Sequence, residues 1–141
     1  MKILPGQYKK RSIEVDVVDK ELMKEAREMV ELCQLPLGKK PGALALAHCQ
    51  VDHTNPKRFF VTFDGKVVIN PTILSKKNSF THTEGCMSYA FRGDKKIKRY
   101  NDLEVEYTTG RGDRKKEVVS GLMACIFQHE IDHMNGISVY S

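Results

Sequence analysis

His129-Glu130-Ile131-Asp132-His133 is the stretch that constrains where the rest of the chain must go. Two histidines four positions apart on a helix project from one face, one turn above the other, so both rings can reach a single divalent cation while Glu130 points alongside. The flanks predict a helix. Ser120 is placed to cap it, Gly121 to Met134 holds no proline, and Asn135-Gly136 is a stop signal. Leu122, Met123, Ala124, Ile126, Phe127, Ile131 and Met134 cover nearly every side of this helix, the pattern of a buried central element. Its histidines are therefore expected inside the molecule, where an unpaired ring is costly.

A histidine pair with one glutamate is shared by unrelated hydrolases, so the third metal ligand decides between them. Met134 to Ser141 contain no His, Glu, Asp or Cys, which sends the search upstream. Glu84-Gly85-Cys86-Met87-Ser88 stands out there, because a cysteine after a glycine can present a thiolate from an extended segment packed against the metal helix.

Composition sets the bounds. A chain of 141 residues is sized for one domain, expected to span residues 1–141 as a single catalytic unit. With 40% apolar and 29% charged residues it has the balance of a soluble globular protein. No stretch reaches membrane-spanning length, and Met1 to Ser12 lacks the apolar run of a secretory signal, so a cytoplasmic setting without membrane contact is expected. Cysteines 33, 49, 86 and 125 include no C-x-x-C pair, which fits a reducing compartment and suggests neither a zinc ribbon nor a disulfide framework. The formal charge is +5, and the basic residues fall in small groups such as Lys76-Lys77, Lys95-Lys96-Lys98-Arg99 and Arg114-Lys115-Lys116. These groups punctuate the chain rather than run along one element, which favours solvated loops and strand edges over a polyanionic partner such as a ribosome or nucleic acid.

Along the chain, Ile13, Val15 and Val17 alternate as in an edge strand. Asp19 caps an amphipathic helix whose buried face is Leu22, Ala26, Met29, Val30 and Cys33, and Pro36 ends it. Ala43 to Gln50 reads as a buried strand, with Gln50 either a polar exit or an amide donor aimed at the metal site. Phe59 to Phe63 and Lys66 to Ile69 form a hairpin about Asp64-Gly65, closed by Asn70-Pro71. Ile97, Leu103, Val105 and Tyr107 mark a further long strand, Gly110 to Asp113 a turn, and Glu117 to Val119 its partner. His48, His53 and His82 lie outside any ligand spacing and are assigned to no metal.

Three segments, Ala43 to Gln50, Glu84 to Ser88 and Gln128 to His133, occur in the order and spacing of the peptide deformylases, which remove the formyl group from the initiating methionine of new polypeptides. The family pattern is a Gly-rich apolar run ending in Gln, then E-G-C-L-S, then Q-H-E-x-x-H on a helix. The chain resembles it with Glu-Gly-Cys-Met-Ser second and a complete third motif. Its first motif departs: Ala43 and Ala45 stand where glycines are usual, and His48 replaces an alanine, each added atom narrowing the peptide groove. In ending soon after the metal helix the chain resembles the short, minimal deformylases, phage-encoded ones included.

The resemblance implies an α+β fold, with small mixed, largely antiparallel sheets packed around the metal helix. It implies Cys86, His129 and His133 as metal ligands with water in the fourth position, Glu130 as the group that takes the water's proton and passes it to the departing amine, and Gln50 and the Met87 backbone N–H as oxyanion donors. It favours Fe2+ for activity, with Zn2+ the more inert occupant and Ni2+ or Co2+ as substitutes. Glu84 pairs with an arginine on the following strand, for which Arg99 is best placed. Arg92 approaches the substrate backbone. Leu44, Cys125 and the stem of Met87, joined by Ala45 and Gly85, line the methionine pocket or else serve ordinary core packing. The substrate implied is an N-formylmethionyl peptide emerging from the ribosome, met by a monomer in a bacterial cytoplasm or, for a phage-encoded chain, the host's. The alternatives are a metallohydrolase for another small N-acyl group, and a basic ribosome- or RNA-associated protein with a structural metal.

Overall fold

The computed structural model describes residues 1–36, 42–85 and 94–138; Cys86, Met87 and Arg92 lie outside the described residues. The elements run α1 (Lys20–Gln34), β1 (Ala45–Ala47), a 3-10 turn (His48–Gln50), β2 (Phe59–Thr62), β3 (Val67–Glu84), β4 (Lys95–Thr108), β5 (Arg114–Ser120) and α2 (Leu122–Met134). The five strands form one antiparallel sheet in sequence order, Ala47 opposite Phe60, Phe60 opposite Val68, and Leu103 opposite Val119. This is an α+β fold with α2 at its centre.

The period-2 alternation of β1 to β3 divides the core into two layers. Ala47, Phe60 and Val68 face α2, packing with Phe127, Ile131 and Met134. Leu46, Phe59, Val61 and Ile69 point the other way, onto Leu22, Ala26, Met29 and Cys33 of α1. Phe60 meets Phe127 edge-on, centroids 5.2 Å apart, a geometry that adds to the area burial of each ring. Asp19 caps α1 through Oδ1, which accepts from the Leu22 N–H at 2.8 Å.

Several sequence expectations are corrected. Only Ala45–Ala47 of the expected Ala43 to Gln50 strand is extended, and the last three residues coil into the 3-10 turn. Ser120 does not cap α2: Gly121 holds that position, and the Ser120 hydroxyl donates instead to Asp102. Ile13, Val15 and Val17 make no strand beyond a single parallel bridge from Ile13 to Lys57. Asn70-Pro71 does not close the hairpin, because β3 runs through it to Glu84. The pairing with β4 shifts register between Ile69 and Thr72, so the missing Pro71 N–H falls at an irregularity where no ladder bond is needed. Asn70, at φ +49°, turns its amide onto Val15, accepting from the backbone N–H at 2.9 Å and donating to the carbonyl at 2.7 Å.

The end of α2 is fixed by close approach. Gly136 has φ +80°, and a Cβ there would meet the Lys9 carbonyl oxygen at 2.5 Å. Gly136→Ala is therefore expected to cost about 2–3 kcal/mol, read as a lower urea midpoint with the slope of the transition unchanged.

Candidate metal centre

α2 presents His129 and His133 with their Nε2 atoms 3.0 Å apart. The other nitrogen of each ring is committed: His129 Nδ1 donates to Glu84 Oε1 at 2.6 Å, and His133 Nδ1 donates to Gln7 Oε1 at 2.9 Å. A carboxylate and an amide carbonyl only accept, so both Nδ1 atoms carry hydrogen and both Nε2 lone pairs converge. Burial, then the neighbouring His129 charge, holds His133 down at about 3, which keeps a proton off this ring near neutrality. Two nitrogens bound at about 2.0–2.1 Å to one tetrahedral ion lie roughly 3.3 Å apart, close to the spacing found. The ring pair fits a divalent cation.

Glu130 lies beside this point, 3% exposed, with Oε1 4.0 Å from His129 Nε2. Its Oε2 is buried and has no hydrogen-bond partner among the described residues. Burial is the main cause that pushes this carboxyl up to about 7, against the lowering effect of His129. A carboxyl that titrates there can take up and release a proton at neutral pH, and its unpartnered oxygen suits a bound water. His129, Glu130 and His133 present ligand atoms within 4.8 Å of one another.

Gln50, 5% exposed, is drawn to the same place by strand β1: its Oε1 accepts from the Ala47 N–H at 2.9 Å, and the Ala47 amide also favours the ionised form of Glu130. With Oε1 so engaged, Nε2 is the donor end of this amide.

Glu84 and Arg99 meet as a bidentate pair, Nε to Oε2 at 2.7 Å and Nη2 to Oε1 at 2.8 Å, with both residues under a tenth exposed. Arg99 Nη1 also donates to Asp132 Oδ2 at 2.7 Å. Burial works against ionisation of Glu84, but donors from Arg99, His129 and His82 outweigh it and hold the carboxyl far below its usual range. A fixed anion thereby aims the His129 ring, the arrangement in which an outer carboxylate sets the tautomer and direction of a metal-binding imidazole.

The expected pocket residues are more scattered. Cys125 is buried on α2, its thiol pushed up by burial, and lies beside His82 and Glu84. Ala45 is half-buried opposite Thr62, Gly85 is exposed at the end of β3, and Leu44 is 48% exposed. Cys86, Met87 and Arg92 lie outside the described residues.

Sequence reasoning missed two contributors, Gln7 and Gln128, and weighed Asp132 as a helix-surface residue or else an outer partner to an imidazole. Gln7, in the N-terminal leader, orients His133 from 126 positions away, a relation that no local pattern carries. Gln128 pairs its amide with the Tyr100 backbone, accepting from N–H and donating to C=O at 2.8 Å each, and so docks α2 on β4. Asp132, three positions after His129 on the helix, is tied to the ring pair through Arg99. A further cluster, Glu25, His48 and Asp52, is spent on structure: His48 Nδ1 accepts from the Lys57 N–H and Nε2 donates to Glu25, so neither nitrogen is left for an ion.

A helix-borne histidine pair, aimed by outer hydrogen bonds and flanked by a buried glutamate, defines a metal-dependent hydrolase. The chain belongs to the polypeptide deformylase family, whose model matches residues 6–141. It is similar to the peptide deformylase of Clostridium beijerinckii, 40% identical over 86 residues, a match that takes in 59% of this chain and 62% of that protein. It is similar to that of Wolinella succinogenes, 33% identical over 141 residues, with 92% of this chain and 78% of that protein covered. The crystal structure of peptide deformylase from Thermotoga maritima superposes with a TM-score of 0.86 at 31% identity, covering 99% of this chain and 94% of that one.

The ion pair carries a pH signature. Glu84 has its folded-state pKa depressed, so its stabilisation is present above the ordinary carboxylate value of about 4.3 and is lost as pH falls through the folded value. Glu84→Gln leaves Arg99 buried with one carboxylate fewer and is expected to cost roughly 3 kcal/mol at neutral pH in the metal-free protein. The gap between the urea midpoints of wild type and variant is expected to narrow in acid.

Proposed function

We propose that this chain removes the formyl group from N-formylmethionyl peptides as they emerge from the ribosome, releasing formate and a free amino terminus. The reading is carried by one observation, the two Nε2 atoms converging at 3.0 Å beside a buried carboxyl with an unpartnered oxygen. Cys86, His129 and His133 would hold the metal, which supplies Lewis acidity and lowers the pKa of a bound water. Glu130 accepts the proton and delivers it to the departing amine. Gln50 Nε2 and the Met87 N–H donate to the oxygen that becomes negative during attack. Leu44, Ala45, Gly85 and Cys125 receive the methionine side chain, and Arg92 approaches the peptide backbone.

One thiolate with two imidazoles suits Fe2+ and Zn2+ alike; family likeness supports Fe2+ as the active ion, with Zn2+, Ni2+ and Co2+ as substitutes. Among the described residues no helix is long and apolar enough to cross a membrane. Family likeness supports a monomer in a bacterial or host cytoplasm, while the scattered basic clusters favour solvated surfaces over a ribosome contact.

Anaerobic reconstitution with Fe2+ and formate detection on a formyl-methionyl tripeptide test the activity. Acetate release from the acetylated tripeptide at a matching rate would instead favour the broader N-acyl hydrolase. Glu130→Gln is expected to keep its metal while turnover falls by about 10²–10⁴, whereas Cys86→Ala is expected to lose the metal. An unaltered rate in Glu130→Gln would remove the carboxyl from the chemistry.

A further inference from the structure

Glu84 is more fully engaged than an ion pair requires. Arg99 Nε and Nη2 donate to Oε2 and Oε1 at 2.7 and 2.8 Å, His129 Nδ1 donates to Oε1 at 2.6 Å, and His82 Nδ1 donates to Oε2 at 2.9 Å. An ionised carboxylate has about four acceptor directions, and all are filled here, two on each oxygen. His82, Glu84 and Cys125 present ligand atoms within 4.8 Å of one another, but an ion among them would have to displace Arg99 or a histidine from Glu84. The cluster has another use.

We infer that His82 is a positioning residue for His129, acting through Glu84. Both residues stand on β3, two positions apart and on the same face, so the strand itself brings the ring against the carboxylate. Phe80, two positions further back, meets the His82 ring edge-on at 5.8 Å and sets its tilt. The imidazole is 31% exposed while the carboxylate is 7% exposed, so the ring is the solvent-side member of the four donors. With His82 in place, Oε2 has two fixed donors and Oε1 stays in line with the His129 N–H. Without it, Oε2 keeps Arg99 Nε alone and gains a mobile water, and the carboxylate can roll about its bond to the chain. That roll redirects His129 Nδ1, and with it the Nε2 lone pair at the ring's far side. The contacts of His82 run to Glu84 and Phe80, and its effect on the centre passes through how the first imidazole is aimed.

This inference rests on the metal-centre reading above. Its test compares His82→Leu, which fills space without a donor, with His82→Asn, whose side-chain amide can stand near the Nδ1 position. Metal-free proteins are loaded with Co2+, and affinity is measured by chelator competition alongside the visible absorption bands, which report the geometry around the ion. His82→Leu is expected to bind Co2+ about tenfold more weakly with displaced bands, while its metal-free thermal midpoint falls by only a few degrees, water taking the lost donor's place on the half-exposed side. His82→Asn is expected to recover both affinity and spectrum. Wild-type affinity and bands in His82→Leu would overturn the inference, as would equal defects in the two variants, which would make the ring a packing group. Failure of the wild-type chain to take up Co2+ would overturn the metal-centre reading and this inference together.

Discussion

One buried carboxylate holds the sheet and the central helix in a fixed relation. Glu84 ends β3, its arginine partner lies on β4, and the ring it aims lies on α2, so three elements meet on two oxygen atoms. Taking these charges out of water is expensive, and the attraction between them offsets that cost only because every acceptor direction is filled. The result is weak as a source of net stability and strong as a specification of geometry. A slip of β3 by one residue would put Glu84 on the wrong face and leave Arg99 buried beside Asp132 alone.

Two carboxyls a few ångströms from one histidine are driven in opposite directions by what surrounds them. Glu84 has four donors and stays ionised, while Glu130 has its Oε2 buried without a partner and is pushed up to about 7. The same side-chain type is thus held as a permanent anion in one place and left able to exchange a proton near neutrality in the other. Both roles sit on regular structure. Glu130 is held in a helix that Gln128 docks to β4 and that Phe127 packs against Phe60, so little freedom remains in the placement of the reacting groups.

Much of this was legible in the chain. The spacing of His129 and His133 is a statement about one helix face, and the apolar residues around it say that the face is covered. Asp19 and the periodic residues of α1 follow local rules and were read correctly. The long β3 was not, because Ser75 to Thr83 is polar and exposed along most of its length and offers no alternation to detect. Its extended form comes from pairing with β4, which propensity does not encode. Asn70-Pro71 looked like a stop because a proline lacks a ladder donor, and the register shift that absorbs it is visible only in three dimensions. His48 looked like a departure of consequence for the groove, yet its ring is fully buried, stacked on Phe59 and bonded to Glu25. Gln7 gave no signal at all, since a partner defined only by a distant helix leaves no trace in its own neighbourhood.

That last contact bears on when the centre can come into being. The two rings belong to the element synthesised after every other described one, and the groups that orient them come from residue 7 and residue 84. Closing loops of that span gives up chain entropy that no nearby contact returns early. The earlier strands and α1 can collapse upon one another during synthesis, but the cation cradle waits for α2, the last of the described elements. Until it docks, the helix that carries both rings lacks the Gln7 and Glu84 partners that aim them.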